Sequence, residues 1–163
     1  LAGELPILLD QLDSNILNDL IDFYQKNRYD CVGTTFPNFK KTYPLGISAL
    51  IFPLKILEEV NQITHNPNDR ENVSNYIYEH PEKYKIRPLP CPKNLNFPNL
   101  RLTVDEQNDF NLIKIIFEEL YYLDPQFSTV EVIKFLNSNP KLLEINKDVI
   151  QKKLPAWDKL KKT

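Results

Sequence analysis

The segment Arg101-Leu102-Thr103-Val104-Asp105 runs directly into a strongly amphipathic stretch, Glu106 to Leu123. Leu102 and Val104 alternate with polar residues as in a short strand, Leu100 to Val104. Phe110, Ile113, Ile116, Phe117 and Leu120 recur at helical spacing. A strand feeding a helix calls for an α/β layer. It also places the Asp105 carboxylate at the strand end, where a polar group faces a crevice rather than a core.

The same alternation recurs along the chain. Ile7-Leu8-Leu9 is a short apolar run. Asp13 or Ser14 suits the cap of a helix whose stripe is Ile16, Leu17, Leu20, Ile21 and Tyr24. Tyr29 to Thr34 and Ile47 to Phe52 read as strands, separated by an aromatic loop from Phe36 to Tyr43. Pro53 fits the first turn of a helix that points Leu54, Ile56, Leu57, Val60 and Ile63 inward. Asn68 or Asp69 suits the cap of a further helix, from which Val73, Tyr76 and Ile77 face inward. Tyr84 to Leu89 is another strand candidate. Pro88, Pro90 and Pro92 bar a regular central strand beyond it, so residues 88–99 read as loop. Ser128 or Thr129 caps the next helix, through Leu136, with Glu131 set for a capping box. The expected fold is α/β, a mixed sheet of about four strands flanked by helices.

A chain of 163 residues fits one domain, and no linker divides it. Residues 154–163 read as a basic tail. A formal charge of −2 and the lack of a basic stripe argue against nucleic-acid binding and against attraction to anionic membranes. No stretch is long and apolar enough to cross a membrane. Cys31 and Cys91 are too few for a zinc motif and read as reduced thiols. Asn72-Val73-Ser74 matches a glycosylation sequon but falls in an expected helix with no secretory segment, so it reads as chance. The chain has three glycines, too few for a phosphate-cradling loop to be expected.

Glu4, in Gly3-Glu4-Leu5-Pro6-Ile7, is the counterpart of Asp105. Two such carboxylates could hold Mg²⁺ beside phosphate oxygens, since magnesium prefers hard oxygen ligands. Asp105 is equally placed to cap the following helix. Arg101 could grip a phosphate or sugar carboxylate through its donor fork, or form an ion pair. Lys40 and Lys41 suit phosphates or a solvated face. Tyr43, Tyr76 and Tyr78 suit sugar contacts, although Tyr76 also fits a helix core. His65 and His80 form no metal cluster, and no Ser-His-Asp spacing is present.

Arg101-Leu102-Thr103-Val104-Asp105, continuing to Asp109-Phe110-Asn111-Leu112-Ile113, resembles the spore-coat polysaccharide biosynthesis cytidylyltransferases, relatives of the enzymes that attach CMP to acidic sugars. Tyr43-Pro44-Leu45-Gly46 followed by Phe52 is similar to that family's Phe-Pro-x-Gly region. Glu71 to Tyr78 is similar to its Glu-His-Val-Thr-Pro-Tyr-Ile segment. Ser128 to Asn146 resembles its final helices, which end in Pro-x-Leu-x-x-x-Asn.

The resemblance covers most of residues 1–150, as the carboxyl-terminal portion of such an enzyme. It implies a nucleotide-diphosphosugar transferase-like fold, present in part, and a cytoplasmic protein. It implies CTP and an acidic or acylated sugar as substrates, Mg²⁺ as cofactor, and an association into homodimers. Asp105 and Glu4 match the metal-binding acids, with glutamate standing where the family has aspartate. Arg101 matches the family arginine and is assigned with Asp105 to catalysis. Asp10, Lys40, Tyr43, Ser48 and Tyr76 are the substrate-contact candidates. The family's Gly-Leu-Asp-Val-Glu is here Gly46-Ile47-Ser48-Ala49-Leu50, without its two acids. With no basic phosphate-binding segment in these residues, the isolated chain is expected to be inactive. The alternative is a noncatalytic sugar-binding or assembly module on the same fold.

Overall fold

The computed structural model describes residues 13–151. Their backbone contacts separate two compact units. One comprises residues 13–17, 42–48 and 91–150; the other comprises 18–41, 49–90 and 151.

The second unit holds a three-stranded mixed sheet. β1 (Cys31–Gly33) is central, paired antiparallel to β2 (Leu50–Ile51) and parallel to β3 (Ile86–Pro88). All three β1 residues are buried, as a central strand covered on both faces requires. Pro88, which has no N–H to donate, lies on the edge strand, and the ladder continues from Leu89 N–H to Gly33 O at 2.7 Å. β2 is shorter than the expected Ile47–Phe52 strand. Ala49 N–H instead donates to the Thr34 hydroxyl at 3.0 Å, and Thr34 N–H donates to Ala49 O.

Three helices accompany this sheet: α2 (Leu54–Ile63), α3 (Pro67–Glu71) and α4 (Val73–Glu79). Most of α1 (Ser14–Lys26) also belongs to this unit. Cys31, Phe36, Ile56, Val60, Ile77, Tyr78 and Tyr84 form the core, with Phe36 and Tyr78 meeting edge to face at 5.4 Å. Pro53 is the N-cap of α2 rather than part of its first turn. The expected inward stripe narrows to Ile56 and Val60, with Leu54 and Ile63 exposed. Asn68 and Asp69 lie inside α3 and do not cap it. Asp69 is buried and accepts the Thr64 hydroxyl at 2.7 Å, while Thr64 Oγ1 accepts Asn66 N–H at 3.1 Å.

The first unit is built on α5 (Gln107–Leu120) and α6 (Thr129–Ser138), with 3₁₀ turns at Lys93–Leu95 and Pro140–Glu144. α6 packs against α5 and against both turns. Ser128 and Glu131 form the expected capping box. Asp13 performs two capping roles. Its Oδ1 accepts Asn15 N–H at 2.9 Å in the first turn of α1, and its Oδ2 accepts Thr129 N–H at 2.9 Å at the start of α6. One carboxylate thus satisfies amides at two helix starts that would otherwise lack intrahelical partners.

Leu100 to Val104 does not form the expected strand. It makes a single parallel bridge, Leu45 with Arg101, closed by Leu45 N–H to Leu100 O at 2.8 Å and Leu102 N–H to Leu45 O at 2.7 Å. Gly46 makes this approach possible. Its φ is +103°, and a Cβ there would lie 2.4 Å from Leu102 O. Only glycine meets both demands without strain.

Two outcomes test these contacts. Gly46→Ala is expected to destabilise the protein by at least about 1–3 kcal/mol in urea unfolding. Asp13→Ala is expected to cost about 1–2 kcal/mol by the same measurement, because two helix starts lose their acceptor together.

Candidate functional site

The bridge at Leu45 brings the turn carrying Ser48 against the segment carrying Arg101. Beyond Arg101 the chain forms a loop to Glu106, the N-cap of α5. Asp109 occupies the third position of that helix, inside the loop, and its side chain is 0% exposed. It accepts Arg101 Nε–H at 2.8 Å on Oδ1 and Arg101 Nη2–H at 2.7 Å on Oδ2. The Thr103 hydroxyl donates to Oδ2 at 3.0 Å and Glu106 N–H at 3.2 Å. Asn146 Nδ2–H donates to Oδ1 at 3.0 Å and also to Arg101 O at 3.1 Å. Both carboxylate oxygens are satisfied several times over, as a buried charge requires.

Burial by itself pushes the Asp109 pKa up. The Arg101 guanidinium and the Asn146 and Thr103 donors outweigh it and hold the carboxyl down to about 2. Asp109 in turn holds Arg101 protonated, raising its pKa. Arg101 also reaches outward: Nη2 donates to Asp105 Oδ2 at 3.2 Å. The Arg101 side chain is 10% exposed and that of Asp105 is 44% exposed. The constellation therefore runs from a sealed carboxylate, through a buried guanidinium, to a carboxylate facing solvent. Among the described residues, Arg101, Asp105 and Asp109 carry a formal charge of −1 between them.

Asp105 does not cap α5, since Glu106 holds that position. Its Oδ1 makes no hydrogen bond among the described residues, which suits it to a divalent cation. The described residues contain no group of three His, Cys, Asp or Glu able to hold a metal between them. One carboxylate still fits Mg²⁺, which commonly takes one or two protein carboxylates and completes its shell with phosphate and water. Glu4 and Asp10 lie outside the described residues.

The other sequence candidates fall in both units. In the first, Ser48 is exposed and Tyr43 is buried. In the second, Lys40 is exposed, and the Tyr76 ring packs 4.3 Å from the His80 ring with Lys83 Nζ 5.9 Å from its centroid. A cavity of about 620 Å³ in the first unit is bordered by Asp13, Ile47, Leu102, Phe127 and Thr129, and does not include Arg101 or Asp105.

Asp109, Thr103 and Asn146 were not among the expected site residues. The phase of α5 explains the omission. Phe110, expected inward, is 50% exposed, and the buried positions are Asp109, Leu112, Ile113 and Ile116. These recur at i, i+3, i+4 and i+7 and place an acid on the apolar stripe. Sequence does contain that signal: an acid in phase with Leu112 and Ile116, eight residues after an arginine.

No family model matches the chain. It is 30% identical over 152 residues to an uncharacterised protein of Methanocaldococcus jannaschii, covering 93% of this chain and 58% of that protein. It is 32% identical over 98 residues to the spore coat polysaccharide biosynthesis protein SpsF of Bacillus subtilis, covering 60% of this chain and 40% of that protein. Its fold matches a cytidylyltransferase from Leptospira borgpetersenii serovar Hardjo-bovis with a TM-score of 0.71 at 28% identity, over 86% of this chain and 56% of that one. The mixed sheet and its helices define an α/β protein of the nucleotide-diphosphosugar transferase type. By sequence the chain is homologous to the spore-coat protein and by fold similar to the cytidylyltransferase, and it spans between two fifths and three fifths of the length of these relatives.

The depressed Asp109 pKa has a direction. Stability from this carboxylate is fully present above the ordinary aspartate value and is lost as pH falls through about 2. Unfolding free energy is expected to drop by roughly 2 kcal/mol on this account between about pH 5 and 2. Asp109→Asn is expected to flatten that part of the profile in urea titrations at several pH values. An unchanged profile would assign the acid sensitivity to other carboxylates.

Proposed function

We propose that this chain supplies the Asp105-bearing part of a cytidylyltransferase, which transfers CMP from CTP to an acidic or acylated sugar. The carrying observation is the fold match to the Leptospira cytidylyltransferase, supported by the homology to the spore-coat protein. In the proposed reaction an oxygen of the sugar attacks the α-phosphorus of CTP. A new P–O bond forms, the bond to the β-phosphate bridge breaks, and pyrophosphate leaves.

Phosphoryl chemistry of this kind depends on positioning and on managing negative charge. Mg²⁺, when bound, would neutralise charge on the phosphates. Asp105 is the described carboxylate we assign to share in holding it. Arg101 orients Asp105 and keeps its place through Asp109; its role is site organisation more than phosphate contact. Ser48, just beyond the turn that bridges to the Arg101 segment, is the proposed hydroxyl contact to the sugar. Tyr43, Lys40 and Tyr76 are substrate-contact candidates on the resemblance alone.

The second reading is a noncatalytic sugar-binding or assembly module. The observation favouring it is Ser48 and Leu50 in place of the family's two acids, since Leu50, half-buried in β2, offers no charge or hydrogen bond to a substrate.

Pyrophosphate release from CTP, assayed with candidate acidic sugars, decides between them. The longest natural protein containing this sequence is expected to release pyrophosphate only when sugar and Mg²⁺ are both present. Asp105→Asn is expected to slow it by at least roughly 100-fold, and the 163-residue chain alone to be inactive. Saturable sugar binding without any turnover of CTP would support the module instead.

A further inference from the structure

Asn146 ends the Pro140-x-Leu142-x-x-x-Asn146 pattern, and the proposed reaction gives it no role. Its side chain is nevertheless committed. The residue is 5% exposed and its amide nitrogen donates twice, to Arg101 O and to Asp109 Oδ1. One acceptor is a peptide carbonyl and the other a carboxylate. A neutral donor with two N–H bonds suits both, whereas an acid would repel them and an apolar residue would leave both short of a donor. Pro140 opens the 3₁₀ turn that follows α6 and leads the chain back to this point.

We infer that Asn146 and Asp109 are positioning residues for Asp105, holding the loop from Arg101 to Glu106 so that the Asp105 carboxylate is presented to a divalent cation. The inference rests on the cytidylyltransferase reading. Asp109 ties the loop on both sides of Asp105, through Thr103 Oγ1 and Glu106 N–H. It also fixes the guanidinium that holds Asp105 Oδ2. Asn146 fixes the start of the loop and Asp109 together. Asp105 is more exposed than Arg101 or Asp109, and its Oδ1 makes no hydrogen bond among the described residues. Partners of this outer kind typically alter metal affinity about 10–100-fold when removed.

The test uses Mn²⁺ alone as the probe, with ¹⁵N-labelled protein of the full 163 residues. Saturable paramagnetic broadening centred on the Asp105 amide is expected, and Asp105→Asn should abolish it. Asn146→Ala is expected to weaken the apparent Kd for Mn²⁺ about 10-fold, with the Leu112 and Ile116 methyl signals unchanged. A merely structural role would move those signals and leave the affinity of the folded fraction alone. Equal affinity in Asn146→Ala and the parent overturns the positioning role and leaves the cytidylyltransferase reading standing. No saturable broadening at Asp105 in the parent overturns the metal role of Asp105, and this inference with it. Should Asn146→Ala fail to fold, the near-isosteric Thr103→Val, which removes one donor to Asp109, carries the same expectation, and unchanged affinity there overturns the inference.

Discussion

The Arg101–Asp109 ion pair is the contact on which the candidate site depends. Charges sealed from water lose hydration, and mutual attraction alone restores little of it. The pair persists because the carboxylate's lone pairs have further donors: Thr103, Glu106 and Asn146 complete Asp109. An apolar pair could fill the same volume but could not specify a direction. The guanidinium fork and the carboxylate meet side by side, and that geometry sets where the loop from Arg101 to Glu106 must run.

The rest of the first unit is arranged around that loop. Gly46 lets the turn at Leu45 close onto Leu102. The bridge between Leu45 and Arg101 then holds the arginine backbone from one side, and Asn146 holds its carbonyl. Asp13 secures the starts of α1 and α6, the helix whose end leads to Asn146. A polar loop is thereby held by core elements, as the proposed phosphate chemistry would need.

The second unit follows different physics. Its sheet is short and its central strand wholly buried, so the order comes from aromatic packing more than from long ladders. Phe36, Tyr78 and Tyr84 cover one another and the small β1 residues. Departures from the family pattern at Ser48 and Leu50 fall at the start of β2 and in the turn before it. At Leu50 the chain keeps a hydrophobic contact with this core where the family has an acid, and that departure supports the reading of sugar recognition without catalysis.

Local chemistry alone made much of the architecture legible. The helices with clean caps and stripes were readable, notably the one begun by Ser128 and Glu131, because capping and periodicity act within a few residues. Kinship with the cytidylyltransferase-like proteins was legible too, through the resemblance carried by the residues from Arg101 to Asp105. Tertiary structure decided how that motif is arranged. Only the fold could turn α5 by one residue, bury Asp109 in place of Phe110, and bring Asn146 to Arg101. Only the fold could reduce an apparent strand at Leu100–Val104 to one bridge, since ladders depend on a distant partner's register. A charge on an apolar stripe looks unfavourable in one dimension and becomes stable when five donors converge on it from four residues, one of them 37 positions away.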